Sequence, residues 1–242
     1  KLPATLELTM MGMLFTFLIG IPLGAFAASK RRSARDLGIR VYGNIVYCIP
    51  VYWMGLMLQL VFGIWLGWLP IAGRTGPRVF ASVFERTGFY LIDTLLIGDF
   101  AAFKDVFLHL LLPSITLGIV LSGVFVRLTR ANMIDVLKSD YILAARARGI
   151  PQRKVVGRHA LKNAFIPILT MLGLQFALLL ANAVLTETTF SWPGMARLLL
   201  ERIYLRDYPT VQGVIVIFAL MVSLISLIVD IIYALIDPRV KY

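Results

Sequence analysis

The 242-residue chain has one cysteine, two histidines and little charge, and each shortage removes a class of explanation. The lone Cys48 rules out an intramolecular disulfide and any cysteine-based zinc site. Because it lies within an apolar run, it is expected to be buried and inert. Neither H-E-x-x-H nor G-x-S-x-G occurs, and His109 and His159 are 50 positions apart, so no familiar hydrolase constellation is assembled. The pattern G-x-x-x-x-G-K-[S/T] is also missing, which leaves no phosphate cradle of the P-loop kind. Charged residues are 15% of the chain, against about 25% in an ordinary soluble domain. That is too little charge to cover a water-soluble fold.

What is abundant is apolar sequence, at 59%. A helix needs about 20 predominantly apolar residues to cross the hydrocarbon core. Five segments qualify, at about 4–28, 41–68, 106–128, 165–187 and 210–236. Open sheets are excluded in lipid because their edges would be unsatisfied. The expected fold class is therefore all-α, a polytopic membrane protein with five transmembrane helices visible in a single transmembrane domain covering 1–242. Kinks are expected at Pro22 and Pro50. Trp65, Trp68 and Trp192 fall where spans meet water, as in an aromatic belt.

The net charge of +11 would suggest nucleic acid in a soluble protein. Here the cations lie between apolar runs rather than on one folded face, so no nucleic-acid partner is expected. Segments 29–40, 127–163 and the tail after 236 hold 16 of the 24 Lys and Arg residues. Residues 1–3, 69–105 and 188–209 hold the other 8. The positive-inside rule assigns the first set to the cytoplasm of a multi-pass protein of the cell (plasma or inner) membrane, with the C-terminus inside. Lys1 then starts outside, with no charged n-region or cleavage site of a signal peptide. A native protein of six helices, with one helix before Lys1, is the expectation. The segment 69–105 is long for a loop. Its apolar clusters at 89–91 and 95–97 predict an ordered, partner-facing structure.

The cytoplasmic segment 129–163 contains a short helix. Ser139 or Asp140 can cap its start, helix formers run from Tyr141 to Arg148, Gly149 suits a left-handed residue past the end, and Pro151 stops continuation. A helix of about ten residues is marginal in water, so something must hold it. Tyr141, Ala144 and Ala145 fall at i, i+3 and i+4 and would form a small flat stripe. Arg146, Arg148, Arg153, Lys154 and Arg158 surround it, and arginines can pair with carboxylates on a partner. On the residues alone, a docking plug and a solvated basic loop that anchors topology are equally good readings.

The run Ala144-Ala145-x-x-x-Gly149, between the third and fourth spans, resembles the Glu-Ala-Ala loop of binding-protein-dependent ABC importer permeases. Asp140-Tyr141, Ala145-Arg146-Ala147-Arg148-Gly149 and Arg158-His159-Ala160-Leu161-Lys162-Asn163 are similar to the oligopeptide and dipeptide permease branch. Thr5-Leu6-Glu7-Leu8, Ile19 to Gly24, Leu112 to Gly118, Glu187-Thr188-x-Phe190-Ser191-Trp192-Pro193-Gly194 and Asp237-Pro238-Arg239 extend the likeness over nearly the whole chain. The chain departs from the pattern at Leu143, where an acidic residue is expected. It departs again at His159 and Lys162, where Ile and Pro are expected.

The resemblance implies a type I ABC importer permease-like fold. It implies a second homologous permease subunit, two ATPase subunits and an extracytoplasmic substrate-binding protein as partners in the bilayer. No cofactor would be bound by this chain; ATP and Mg would sit on the ATPase subunits. The helix over 139–149, carrying Asp140, Tyr141, Ala144, Ala145, Arg146, Ala147, Arg148 and Gly149, would couple permease to ATPase. Peptides are the implied cargo, with nickel chelates or oligosaccharides as alternatives. A secondary transporter is the rival class. Such proteins place ionisable residues mid-span, whereas Glu7, Glu187 and Asp230 all lie within a few turns of span ends.

Two further residue groups are candidates. Gln175, Asn182 and Thr186 are spaced by 7 and 4 and share one helix face. They either line a translocation path or hydrogen-bond between helices. Glu187, with Trp192 following, either closes an outer gate or caps the next segment.

Overall fold

A computed structural model describes residues 1–80 and 86–236. Asp237-Pro238-Arg239 and the two cations of the C-terminal tail lie outside the described residues. Among the described residues the chain is helical, with no strand. Helix α1 runs Leu2–Ser29, α2 Ala34–Cys48 and α3 Val51–Leu58, with α3 continuing as a π-helical turn over Gln59–Trp65. Short helices α4 (Pro77–Phe80) and α5 (Tyr90–Ile97) lie in the first outer segment. The 37-residue α6 spans Phe100–Val136, followed by α7 (Asp140–Ala147), α8 (Gln152–Lys154) and a π-helical turn at Val155–Ala160. Helices α9 (Leu161–Thr170), α10 (Leu172–Thr189), α11 (Met195–Tyr204) and α12 (Tyr208–Ile236) complete the chain.

Three helices, α1, α6 and α12, are each long and apolar enough to cross a bilayer. The second expected span is a broken one: α2 and the α3 segment through Trp65 meet at 103°. Proline explains the break, because it offers no backbone N–H and disfavours helix at the residue before it. Pro50 sits at that corner, with extended backbone at φ −60° and ψ 137°. Pro22 lies inside α1, which continues through it. The apolar segment at 165–187 is divided at Met171 into α9 and α10.

Burial follows the expected chemistry. The most apolar window of α12 is 6% buried and presents Leu220, Leu224, Leu227 and Ile231 outward, as a lipid-facing helix does. That of α6 is 67% buried. Cys48 is exposed at the end of α2, not buried; the corner at Pro50 follows directly after it.

The chain forms two compact units. The first comprises 1–15, 49–120 and 177–220, and packs Leu8, Leu110, Leu112, Leu117, Leu179, Phe190 and Trp192 out of solvent. The second comprises 16–48, 121–176 and the described residues from 221 to 236. Its core holds Ala25, Ala28, Met133, Ile142, Ala145, Val155, Ala160 and Ala164, and Phe17 meets Phe125 edge to face at 5.2 Å between centroids.

Candidate functional site

In the second unit, α7 forms where the sequence predicts it, but the way it is fastened differs. Ser139 has the extended backbone of an N-cap, at φ −70° and ψ 152°, yet its hydroxyl makes no cap. It donates instead to the Val136 carbonyl at 2.6 Å, closing the turn that leads out of α6. Asp140 in the first turn and Arg146 in the last complement the helix dipole. At the far end Gly149 is left-handed, at φ +73°, and its N–H donates to the Arg146 carbonyl at 2.9 Å. An added Cβ at Gly149 would meet nothing within 4 Å, so the requirement for glycine there is conformational rather than steric.

The expected stripe of Tyr141, Ala144 and Ala145 is split by the fold. Ala145 is 3% exposed and Ile142 is fully buried; both enter the core with Ala25, Ala28, Met133 and Ala160. Ile142 and Ala145 are spaced i, i+3 and face inward together. This is what holds so short a helix. The outward residues are Tyr141, Leu143, Ala144, Arg146, Ala147 and Arg148. Asn163 donates to the Tyr141 hydroxyl at 2.7 Å, and Arg148 Nε lies over the Ala144 carbonyl at 3.3 Å. Beside the helix a recess of about 430 Å³ is lined by Lys30, Arg31, Lys138 and Arg146. The basic surround read from the sequence is therefore present, and includes cations from the end of α1.

Sequence reading missed the pair that joins α2 to α6. Arg130 Nε and Nη2 donate to the two carboxylate oxygens of Asp36 at 2.6 and 2.9 Å, and the Arg32 N–H adds 3.1 Å. Such a fork is geometrically specific, but its partners are 94 positions apart and carry no local signal.

In the first unit Glu187 is fully buried. Its Oε1 accepts from Thr5 Oγ1 at 2.6 Å and its Oε2 from the Arg197 N–H at 2.8 Å. Thr5 Oγ1 in turn accepts from the Met195 N–H at 2.7 Å. Together they satisfy N–H groups at the start of α11, which is the geometry of a cap. Gly194 allows it: a Cβ there would overlap the Glu187 carboxyl. Trp192 is fully buried, so it does not stand in an exposed aromatic belt. Its ring N–H donates to the Ala4 carbonyl at 2.9 Å. Trp65 and Trp68 are exposed, at 71% and 66%.

A second buried network, also missed, lies in the same unit. Arg74 and Glu7 are 8% and 4% exposed and bond at 2.6 Å. Glu7 Oε1 also accepts from the Leu91 N–H at 2.8 Å, and Arg74 donates to the Gly88 carbonyl at 2.7 Å. The Arg74 guanidinium stacks over Tyr90, 3.6 Å from the ring centroid. Asp93 binds the neighbouring turn through the Thr87 and Gly88 N–H groups and the Thr87 hydroxyl, at 2.7 to 3.1 Å. Burial works against the charged form of Asp93, but these bonds outweigh it and hold its pKa below the ordinary carboxylate value. The described part of segment 69–105 is thus tied down by polar bonds around a buried Tyr90, while Leu95, Leu96 and Ile97 of the second apolar cluster are exposed.

Gln175, Asn182 and Thr186 all lie on α10. Asn182 and Thr186 hydrogen-bond their own helix, to the Leu178 and Asn182 carbonyls at 2.9 and 3.1 Å. Gln175 is 5% exposed and its Oε1 has no partner among the described residues. Among the described residues no group of three His, Cys, Asp or Glu is placed to hold a metal ion.

Several apolar helices, one of them sharply broken, and polar side chains buried within two helical units define a multi-pass integral membrane protein. The chain belongs to the family of binding-protein-dependent transport system inner membrane components, whose pattern matches residues 20–242. It is 45% identical to the di/tripeptide transport system permease protein DppB of Pseudomonas aeruginosa, over 99% of this chain and 71% of that one. It is 42% identical to the dipeptide transport system permease protein DppB of Escherichia coli K12, over 100% and 72%. Its fold is that of a chain in the inward-facing MetNI methionine ABC transporter, at a TM-score of 0.72 and 16% identity, covering 97% of this chain and 93% of that one.

Proposed function

We propose that this chain is the membrane-spanning permease subunit of an ATP-driven importer that carries di- and oligopeptides into the cytoplasm. The observation that carries this reading is the identity of 42 to 45% to dipeptide and di/tripeptide permeases along essentially the entire chain. The working assembly contains a second homologous permease, two ATPase subunits that hold ATP and Mg, and an extracytoplasmic binding protein that selects the cargo. The positive-inside bias supports a cytoplasmic α7 and C-terminus.

Coupling runs through α7. Tyr141, Leu143, Ala144 and Ala147 offer the ATPase a shallow outward face with basic residues around it. Ile142 and Ala145 tie the opposite face to the ends of α1 and α6. Displacement of α7 by a closing ATPase is therefore passed to two long helices at once, since a packed core shifts as a unit. Gln175, with a buried carbonyl oxygen unmatched among the described residues, is the path residue this reading favours. Glu187 and Trp192 act at the outer end by fixing the start of α11, so any gate there moves with that helix.

The test is to express the permease with the genes beside its own and purify it by a tag on this chain. An ATPase should accompany it, and a peptide should raise the melting temperature of the cognate binding protein. Import driven by an ion gradient without an ATPase would overturn the transport class. Stabilisation by a nickel chelate or an oligosaccharide, and not by peptides, would overturn the cargo.

A further inference from the structure

The second unit contains another basic hollow, and nothing proposed above uses it. It has a volume of about 350 Å³ and lies along α2 and α6, where Arg40, Asn44, Arg127 and Arg130 meet the apolar walls of Leu37 and Val41. Arg130 is neutralised by Asp36. Arg127 stacks over Tyr47 at 4.8 Å from the ring centroid and Arg40 is exposed; neither has an ion-pair partner among the described residues. The hollow therefore holds an amide and two guanidinium groups outside any close ion pair among the described residues, Arg40 feeling the carboxylate of Asp36 only at longer range. Each guanidinium suits the paired oxygens of a phosphodiester.

Apolar surface continues from the charges. Leu37, Val41 and Ile45 stand at i, i+4 and i+8 on α2 and are 54%, 46% and 54% exposed. They form a stripe that leaves the arginines and runs toward the Pro50 corner, away from the basic 29–33 segment. A soluble acidic partner would meet the charges and leave this stripe uncovered. A molecule with an anionic head and hydrocarbon tails would cover both, and basic pockets between helices at the cytoplasmic border are suited to such head groups. We propose that this hollow is a binding site for an anionic phospholipid of the inner leaflet, with its phosphate between Arg40 and Arg127 and an acyl chain along Val41 and Ile45. The leaflet, though not the ligand class, rests on the orientation proposed above.

The test uses the full-length chain purified in mild detergent, with retained lipid counted by native mass spectrometry after adding phosphatidylglycerol or phosphatidylcholine. Retention of phosphatidylglycerol over phosphatidylcholine is expected. Arg40→Gln and Arg127→Gln should each weaken it about five-fold, the effect of removing one cation beside an anionic lipid. Arg31→Gln, in the recess beside α7, should not. Arg40 has no hydrogen bond or ring contact among the described residues, so Arg40→Gln reports on binding even if Arg127→Gln unfolds. Equal retention by Arg40→Gln and the parent chain would overturn the site. So would protection from heat by inorganic phosphate equal to that from phosphatidylglycerol, since the ligand would then be free phosphate. Orientation is read separately, by labelling Arg31→Cys in a Cys48→Ser background. External labelling together with lipid loss in Arg40→Gln would move the site to the other leaflet and support the ligand class.

Discussion

Arg74 is enclosed by Glu7, the Gly88 carbonyl and the ring of Tyr90, and its burial makes its partners matter. Removing one member of a buried ion pair leaves the other charge uncompensated, at about 3–5 kcal/mol. Arg74→Met should therefore lower the thermal midpoint, followed by tryptophan fluorescence in detergent, much more than Glu7→Gln/Arg74→Met does. An additive double variant would show that the two residues do not act as a pair. Asp93 makes a different prediction. Its folded pKa lies below the unfolded value of about 3.9, so its stabilising contribution is complete above that value and is lost as pH falls through the lower folded one. Unfolding midpoints measured from pH 6 down to 3 should fall less steeply in Asp93→Asn than in the parent chain. Neither network was legible in the sequence. Glu7 could be placed near a span end and Arg74 in an outer segment, but 67 positions separate them and only the folded chain brings them together.

Helix α7 and the α2–α3 corner show what local sequence can and cannot decide about an element. The bounds of α7 were readable because its end depends on backbone preference at Gly149 and Pro151. Which of its faces points inward was not, because alanines at i, i+3 and i+4 fit a core and a contact surface equally well; Ile142, outside that stripe, sets the inner face. The consequence is a reversal of roles between neighbouring alanines. Ala145→Glu buries a carboxylate without a partner and should prevent a stable fold, losing several kcal/mol. Ala144→Glu should leave the thermal midpoint unchanged and reduce co-purification of the ATPase. Gly149→Val imposes a left-handed β-branched residue at a cost of about 1–2 kcal/mol, so peptide-stimulated ATP turnover should fall while the membrane helices stay folded. Wild-type turnover in that variant would remove the need for glycine. The prolines teach a similar lesson. Pro22 and Pro50 look alike in sequence, yet one is absorbed in α1 and the other turns the chain by 103°. Residue type alone does not separate the two; the extended backbone at Pro50 does.

For the molecule as a whole, membrane residence was the most legible property, because it depends on summed apolar length and charge rather than on any one contact. The proposed orientation rests on the same sums. A cysteine at position 31 should react with an impermeant maleimide only in inside-out vesicles, and one at 206 only in right-side-out vesicles. The opposite pattern would take α7 away from any nucleotide supply. The length of α6 has its own consequence. At about 1.5 Å per residue its 37 residues reach about 55 Å, whereas the hydrocarbon layer is about 30 Å thick. The stretch from Arg127 to Val136 alone extends about 15 Å. On the orientation proposed above, that stretch would act as a mast, carrying α7 beyond the phosphate layer to where a water-soluble partner could reach it.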